Sequence, residues 1–377
     1  MQGAGFDPGW RLMGNRQQIQ AIPGALRVTL EKARGEYETA IRRIRWGDGP
    51  IYVCGTGSCA ALGRAAGYAL EAFLGLPVVA RPAEVLQHYT PSLLRPRPVL
   101  VMISAAGEGA EAEEMVRVVR RRASTLVLLT NTPDSPLAKL ADQVLLVRAE
   151  GDGDVPAVIL CLHAALNFLA LEAARVLKRP EPQWDSLARE FEELPAQIDW
   201  VHTQLPVAVR AMAEELRRFP HLQIVGGGFY HFPAWRAARR VRALAGLRAE
   251  GMEASEFSSE LAGLVRRDTA VLFLSSSRSK IKQLAHRSAA QVRGIGARVL
   301  SITDGNDRDL AEQSDLGVLI PASTEAAGCT LSLFLAEWLA VEAARAGKQS
   351  PVSSRGPAGE EPPGKSPKAE EAERHEG

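Results

Sequence analysis

A repeated order of short motifs constrains this chain more than any other feature of its 377 residues. Pro50-Ile-Tyr-Val-Cys54 is an apolar run that stops at Gly55, and Gln223-Ile-Val225 stops in the same way at Gly226. Gly55 lies 49 residues before Ser104, and Gly226 lies 49 residues before Ser275. Thr130 precedes Asp142 by 12 residues, and Thr303 precedes Asp315 by 12. One such match means little. Several in one order argue for a duplicated domain with a period of roughly 171 to 173 residues, longer than a solenoid repeat.

Each half alternates apolar runs with helical stretches. Val99–Ile103, Leu126–Leu129 and Val144–Val147 follow the first glycine turn. Ala270–Leu274, Val299–Ile302 and Leu316–Ile320 follow the second. A βαβα order implies a parallel sheet covered by helices on both faces. The expected fold class is α/β: two doubly wound, three-layer parallel-sheet domains in tandem with linking helices. The expected boundaries are a flexible leader over 1–12, a first domain over 13–175, a helical linker over 176–218 and a second domain over 219–346. The Pro-, Gly- and Glu-rich stretch 347–377 is expected to be a disordered tail.

The balance of charges narrows the function. Formal net charge is +1, which points to neither nucleic acid nor a membrane surface as partner. No uninterrupted apolar run reaches the ~18 residues of a membrane span. The start lacks a secretory signal pattern. Cys54, Cys59, Cys161 and Cys329 show no paired spacing and read as buried or half-buried thiols. These features place the chain in the cytoplasm. No His, Cys or carboxylate set has metal-ligand spacing, so neither a metal nor a cofactor is expected.

In doubly wound sheets, ligands sit beyond the carboxyl ends of the strands, where strand order reverses. Two loops per half fit that place. The first is Gly55-Thr56-Gly57-Ser58, matched by Gly226-Gly227-Gly228. Glycines let backbone N–H groups approach an anion at a helix start, although such a turn is equally a plain tight turn. The second begins at Ser104 and is matched by Ser275-Ser276-Ser277-Arg278-Ser279-Lys280, whose hydroxyls and cations suit a phosphate. Gly55-Thr-Gly57-Ser-Cys-Ala60 also fits a dinucleotide fingerprint. The acid expected some 20–25 residues on is missing, and the second copy does not fit, so a nicotinamide site is disfavoured.

The order Gly-Thr-Gly-Ser, then Glu84 or Glu256, then a Ser loop, then Thr130-Asn or Thr303-Asp, resembles the sugar isomerase (SIS) domain. The tandem layout over about 13–346, opened by Met13 to Pro23, resembles the isomerase half of glucosamine-6-phosphate synthase and related phosphosugar isomerases, deaminases and deglycases. The resemblance implies binding of a phosphorylated amino sugar and aldose–ketose isomerase or deaminase chemistry. It also implies a homodimer, in which a second subunit completes each cleft. A glutaminase domain has no room here, so amination from glutamine is not expected.

The resemblance implies a glutamate that shuttles a proton through an enediol, and a histidine that opens the sugar ring. This sequence departs from that pattern. Ala106 and Gly109 stand where the first Ser loop should carry hydroxyls. The position of the base falls on Ala243, and that of a nearby lysine on Arg240. Ser258-Ser259-Glu260-Leu261 occupies the histidine segment. Glu250 is the substitute candidate for a base and His231 for the ring opener. Glu256 suits a structural or contact role, and His88 could lie where subunits meet. Glu111, Glu113 and Glu114 read as a solvated helix face, as do Arg239, Arg240 and Arg242, although the crowd of arginines from Arg236 on could attract an anion. The alternative function is a non-catalytic sugar-phosphate sensor or regulatory protein.

Overall fold

The computed structural model describes residues 8–46, 49–89, 98–120, 125–180 and 184–349. Helix α1 (Pro8–Arg43) enters the first half. Five βα units follow: β1 (Ile51–Gly55), α2 (Gly57–Leu74), β2 (Val78–Pro82), α3 (Ala83–Tyr89), β3 (Val99–Ile103), α4 (Ala110–Arg120), β4 (Thr125–Thr130), α5 (Pro136–Leu140), β5 (Gln143–Leu146) and α6 (Pro156–Val176). Helices α7 (Trp184–Gln204) and α8 (Pro206–Leu216) lead into the second half. There the order returns as β6 (His221–Gly226), α9 (His231–Ala245), β7 (Ala249–Glu253), the single turn α10 (Ala254–Glu256), β8 (Thr269–Leu274), α11 (Lys282–Ile295), β9 (Arg298–Asp304), α12 (Arg308–Gln313), β10 (Leu316–Ile320) and α13 (Glu325–Gln349).

Both sheets are parallel, with strand orders β2-β1-β3-β4-β5 and β7-β6-β8-β9-β10. The orders are the same, so the duplicated spacing is a duplicated doubly wound fold. Strand order reverses between β1 and β3 in one half and between β6 and β8 in the other. Gly55 pairs with Ile103 and Gly226 with Leu274, so the glycine turns and the serine loops leave neighbouring strand ends together.

Alternation along the strands divides the interior. Ile51, Val53 and Val101 share one continuous core with Ile224, Leu272 and Leu300, through α1, α2, α6, α9 and α13. Tyr52, Cys54, Leu100 and Met102 face a second cluster under α3, α4 and α5. Val225, Val271 and Phe273 face a third under α10, α11 and α12. The halves are therefore joined by their largest core.

Two outcomes differ from expectation. Helix α1 already runs at Pro8, inside the stretch read as a leader. Proline suits a first helical turn, where its missing N–H leaves no bond unmade. Helices α6 and α13 are long and apolar enough to cross a membrane, but α6 is wholly buried and α13 nearly so, as core helices. Of the expected tail, 347–349 continue α13 and the rest lies outside the described residues. All four cysteines are buried and unpaired.

Candidate functional site

The two halves offer the same crevice in different states. In the first, β1 ends at Gly55, where an added Cβ would lie 2.8 Å from both the Cys59 carbonyl carbon and the Ile103 oxygen. Glycine is required there by close approach. Gly57 follows with φ +52°, has no neighbour within 4 Å of a Cβ position, and starts α2. The Thr56 hydroxyl makes no capping bond to that helix. The first amides of a helix have no partner within it, so Gly57 and Ser58 present N–H groups at an open mouth.

The loop after β3 is less free. Ser104 Oγ accepts a 3.0 Å bond from the Gly107 amide, so it closes its own turn. Gly107, at φ +68°, packs so closely on Ser135 that a Cβ would fall 2.0 Å from Ser135 Oγ. Asn131 ties this region to the next loop by donating to the carbonyls of Ala149 and Gly151.

Across the mouth stands Arg236 of α9, from the other half. Its side chain is 1% exposed, yet it lies 3.4 Å from Ser58 Oγ. It donates to Asp154 Oδ1 at 2.5 Å and to Glu337 Oε1 at 2.5 Å. Arg240 donates to Glu337 Oε2 at 2.6 Å and to Asn15 Oδ1. Glu337 is fully buried in α13, whereas Asp154 is 54% exposed at the mouth. Burial opposes the Arg236 charge, but Glu337 and Asp154 outweigh it and hold the guanidinium charged. Arg240 was expected on a solvated face; its fixed partner Glu337 lies 97 residues away, which no local spacing announces. Arg239 is exposed and stacks 4.8 Å over Trp235.

In the second half the corresponding groups are turned inward. Gly226 is forced, since a Cβ would lie 2.3 Å from the Tyr230 oxygen. Ile281 Cδ1 and Glu253 Oε1 stand 2.4 and 3.1 Å from a Cβ at Gly227, so side chains crowd that residue, while Gly228, at φ +56°, meets only Ile281 Cδ1 at 3.8 Å. Ser275 and Ser276 are buried. The Ser277 amide and hydroxyl donate to Asp304 Oδ2 at 2.7 and 3.0 Å. Ser279 is buried, and its hydroxyl and the Lys280 amide are held by the Glu325 carboxylate at the start of α13. Burial raises the Glu325 pKa, and those two bonds oppose the rise. The cluster Ser275, Ser276, Ser277 and Ser279 was expected to cradle a phosphate. Asp304 and Glu325 instead occupy the donors of Ser277 and Ser279, and Ser275 and Ser276 are buried.

The two substitute catalytic groups are not brought together. Glu250 is exposed on β7, in register with Gln223, three residues before the carboxyl end. At about 3.3 Å per residue, it sits about 10 Å toward the opposite end of the sheet. His231 opens α9 beside the second glycine turn. Burial lowers its pKa, Arg64 lowers it further, and Glu253 opposes. Glu256 and His88 are exposed. Glu113 and Glu114 pair with Arg117 along their helix, as a surface face does. Among the described residues no His, Cys and carboxylate group could hold a metal ion. The charge network on Arg236 is the feature that motif spacing missed.

The SIS domain model matches residues 47–171 and 215–343, one segment on each sheet. The chain belongs to the SIS domain family. Among curated proteins, it is 28% identical over 281 residues to the glutamine–fructose-6-phosphate aminotransferase (isomerizing) of Mycolicibacterium smegmatis, covering 72% of this chain and 44% of that one. The Streptococcus pyogenes serotype M1 enzyme of that name is 23% identical over 262 residues, covering 69% and 43%. The chain thus spans less than half the length of these SIS relatives. Among solved structures, the C-terminal domain of glucosamine-fructose-6-phosphate aminotransferase from Francisella tularensis superposes with TM-score 0.78 at 15% identity, covering 88% and 95%. Tagatose-6-phosphate ketose/aldose isomerase from Escherichia coli gives 0.69 at 16%, covering 88% and 93%. Both share the fold of this chain over most of its length.

Proposed function

We propose that this chain binds a phosphorylated sugar of the amino-sugar phosphate class in the first-half crevice, between Gly55–Ser58 and Ser104–Gly109. The contrast between the two mouths carries the proposal. The first glycine turn is open, carries an uncapped Thr56 hydroxyl and faces a charged Arg236. In the second, Ile281 and Glu253 crowd Gly227, and Asp304 and Glu325 hold Ser277 and Ser279. The phosphate would rest on the amides of Gly57 and Ser58, with the Thr56 and Ser58 hydroxyls beside it. Family membership and relatives named for hexose 6-phosphates support the ligand class.

The chemistry in keeping with the family is aldose–ketose isomerisation or deamination. A second reading, a non-catalytic sensor, is favoured by α9. That helix carries Ala243 where a base is implied, and turns Arg236 and Arg240 toward Glu337. A homodimer in the cytoplasm belongs to the proposal as an inference from the family.

Titration with fructose 6-phosphate, glucosamine 6-phosphate and fructosamine 6-phosphate tests binding through the melting temperature. A ligand at 100 times its Kd adds about 2.7 kcal/mol to stability. At least one ester is expected to raise the melting point while unphosphorylated fructose does not. No shift with any of them would contradict the proposal. Exchange of the C2 proton into heavy water then separates the readings: exchange supports an isomerase, and binding without exchange supports a sensor.

A further inference from the structure

A basic hollow lies at the amino ends of β6, β7 and β8, the end of the second sheet opposite its glycine turn. It has a volume of about 620 Å³. His221, Arg242, Arg248 and Arg266 rim it, from four separate segments of chain. Leu222, Ala249 and Val265 give it an apolar floor. Glu250 is the one carboxylate in its lining, so cations outnumber acids. Among the described residues, Arg242 and Arg248 form no ion pair, and Arg266 reaches only Asp268, at 3.8 Å between exposed side chains.

Three exposed arginines around one hollow, with a single carboxylate among them, suit an anionic ligand. We propose that this hollow is a second binding site for a small, multiply charged phosphate compound that also carries hydroxyl groups. The arginines would take the phosphate oxygens by paired N–H bonds. The site is separate from the proposed sugar-phosphate crevice, and α9 links the two, with Arg242 at this hollow and Arg236 at that crevice. Glu250, read from sequence as a base, becomes a wall residue that accepts ligand hydroxyls.

The blander view is that Arg242, in the last turn of α9, serves only the helix end, where a cation is favourable. Calorimetry of the full chain with inorganic pyrophosphate decides between these views. Wild type is expected to bind, and Arg248→Ser/Arg266→Ser to bind at least tenfold more weakly. Thr56→Ala, in the first crevice, and Arg287→Ser, an exposed arginine elsewhere, are expected to leave pyrophosphate affinity within twofold of wild type. Absence of binding by wild type overturns the proposal. Equal affinity in the double variant, or an equal loss in Arg287→Ser, also overturns it. A loss in Thr56→Ala alone would move the pyrophosphate to the crevice and likewise sink the second site. Circular dichroism of each variant confirms that the arginine changes leave the fold intact.

Discussion

Arg236 and Glu337 meet across 101 positions of sequence, and each is held by the charge of the other. Breaking a buried pair from one side leaves the remaining charge poorly solvated, at a cost of about 3–5 kcal/mol. Arg236→Met is expected to lower unfolding stability by about 3 kcal/mol, less than the full penalty because Arg240 stays on Glu337. Adding Glu337→Leu is expected to recover part of that loss. A urea double-mutant cycle checks this, and additive single losses would show that the contact has no energetic coupling. The arginine spacing in α9 suggested a surface face because sequence displays periodicity but not a distant partner. His163 shows the same limit. Burial between α6 and α13 pushes its imidazole down to about 3. Thr330 Oγ1 donates to the Ala326 carbonyl and so accepts from His163 Nδ1 at 3.0 Å, which fixes the neutral tautomer. An unfolded histidine takes up a proton below about 6.5, whereas the folded one does not until near 3. Stability from this group is therefore present above pH 6.5 and is lost as pH falls toward 3, at up to ~1.4 kcal/mol per pH unit. His163→Asn is expected to flatten that slope between pH 7 and 5 while lowering stability at pH 7. Urea midpoints across that range would reveal an unchanged slope if burial of His163 were not its source.

The βα turns show which parts of an element can be read in advance. Strand runs, their glycine stops and the helices between them were legible, because apolar runs and φ-permissive residues are local signals. Which glycines are sterically forced was not, because that depends on the strand next door. Gly55 and Gly226 would drive a Cβ into backbone, at 2.8 and 2.3 Å, whereas Gly57 and Gly246 face open space at φ +52° and +68°. Gly57→Ala and Gly246→Ala are expected to cost about 1 kcal/mol each, from left-handed backbone alone. Gly55→Ala and Gly226→Ala are expected to cost more, on the order of 3 kcal/mol, because backbone must shift. Thermal unfolding of the four variants tests this order; equal losses would mean that the turns relax freely. The serine loops teach the opposite lesson. Ser275–Ser279 looked the better phosphate loop, with more hydroxyls and two cations. Asp304 lies on a neighbouring strand, and Glu325 starts a helix 46 residues after Ser279, so their occupation of the loop is a tertiary fact.

At the scale of the molecule, the halves form one body through the core that α1, α6, α9 and α13 share. Duplication gave two crevices of the same topology, and the chain has treated them differently. In the first, the opposite half supplies an arginine and the glycine turn stays open; in the second, internal carboxylates and Ile281 close it. The matched spacings made the duplication legible, but not this asymmetry, because Arg236 reaches the first crevice from the other half and Asp304 and Glu325 reach the second from distant positions of their own repeat. The measurement that bears most directly on this difference is a crystal structure of the full chain soaked with glucosamine 6-phosphate. The account predicts the phosphoryl group on the Gly57 and Ser58 amides, beside Arg236. A phosphoryl group on the Ser275–Lys280 loop instead, or a first crevice left without sugar at saturating concentration, would contradict it.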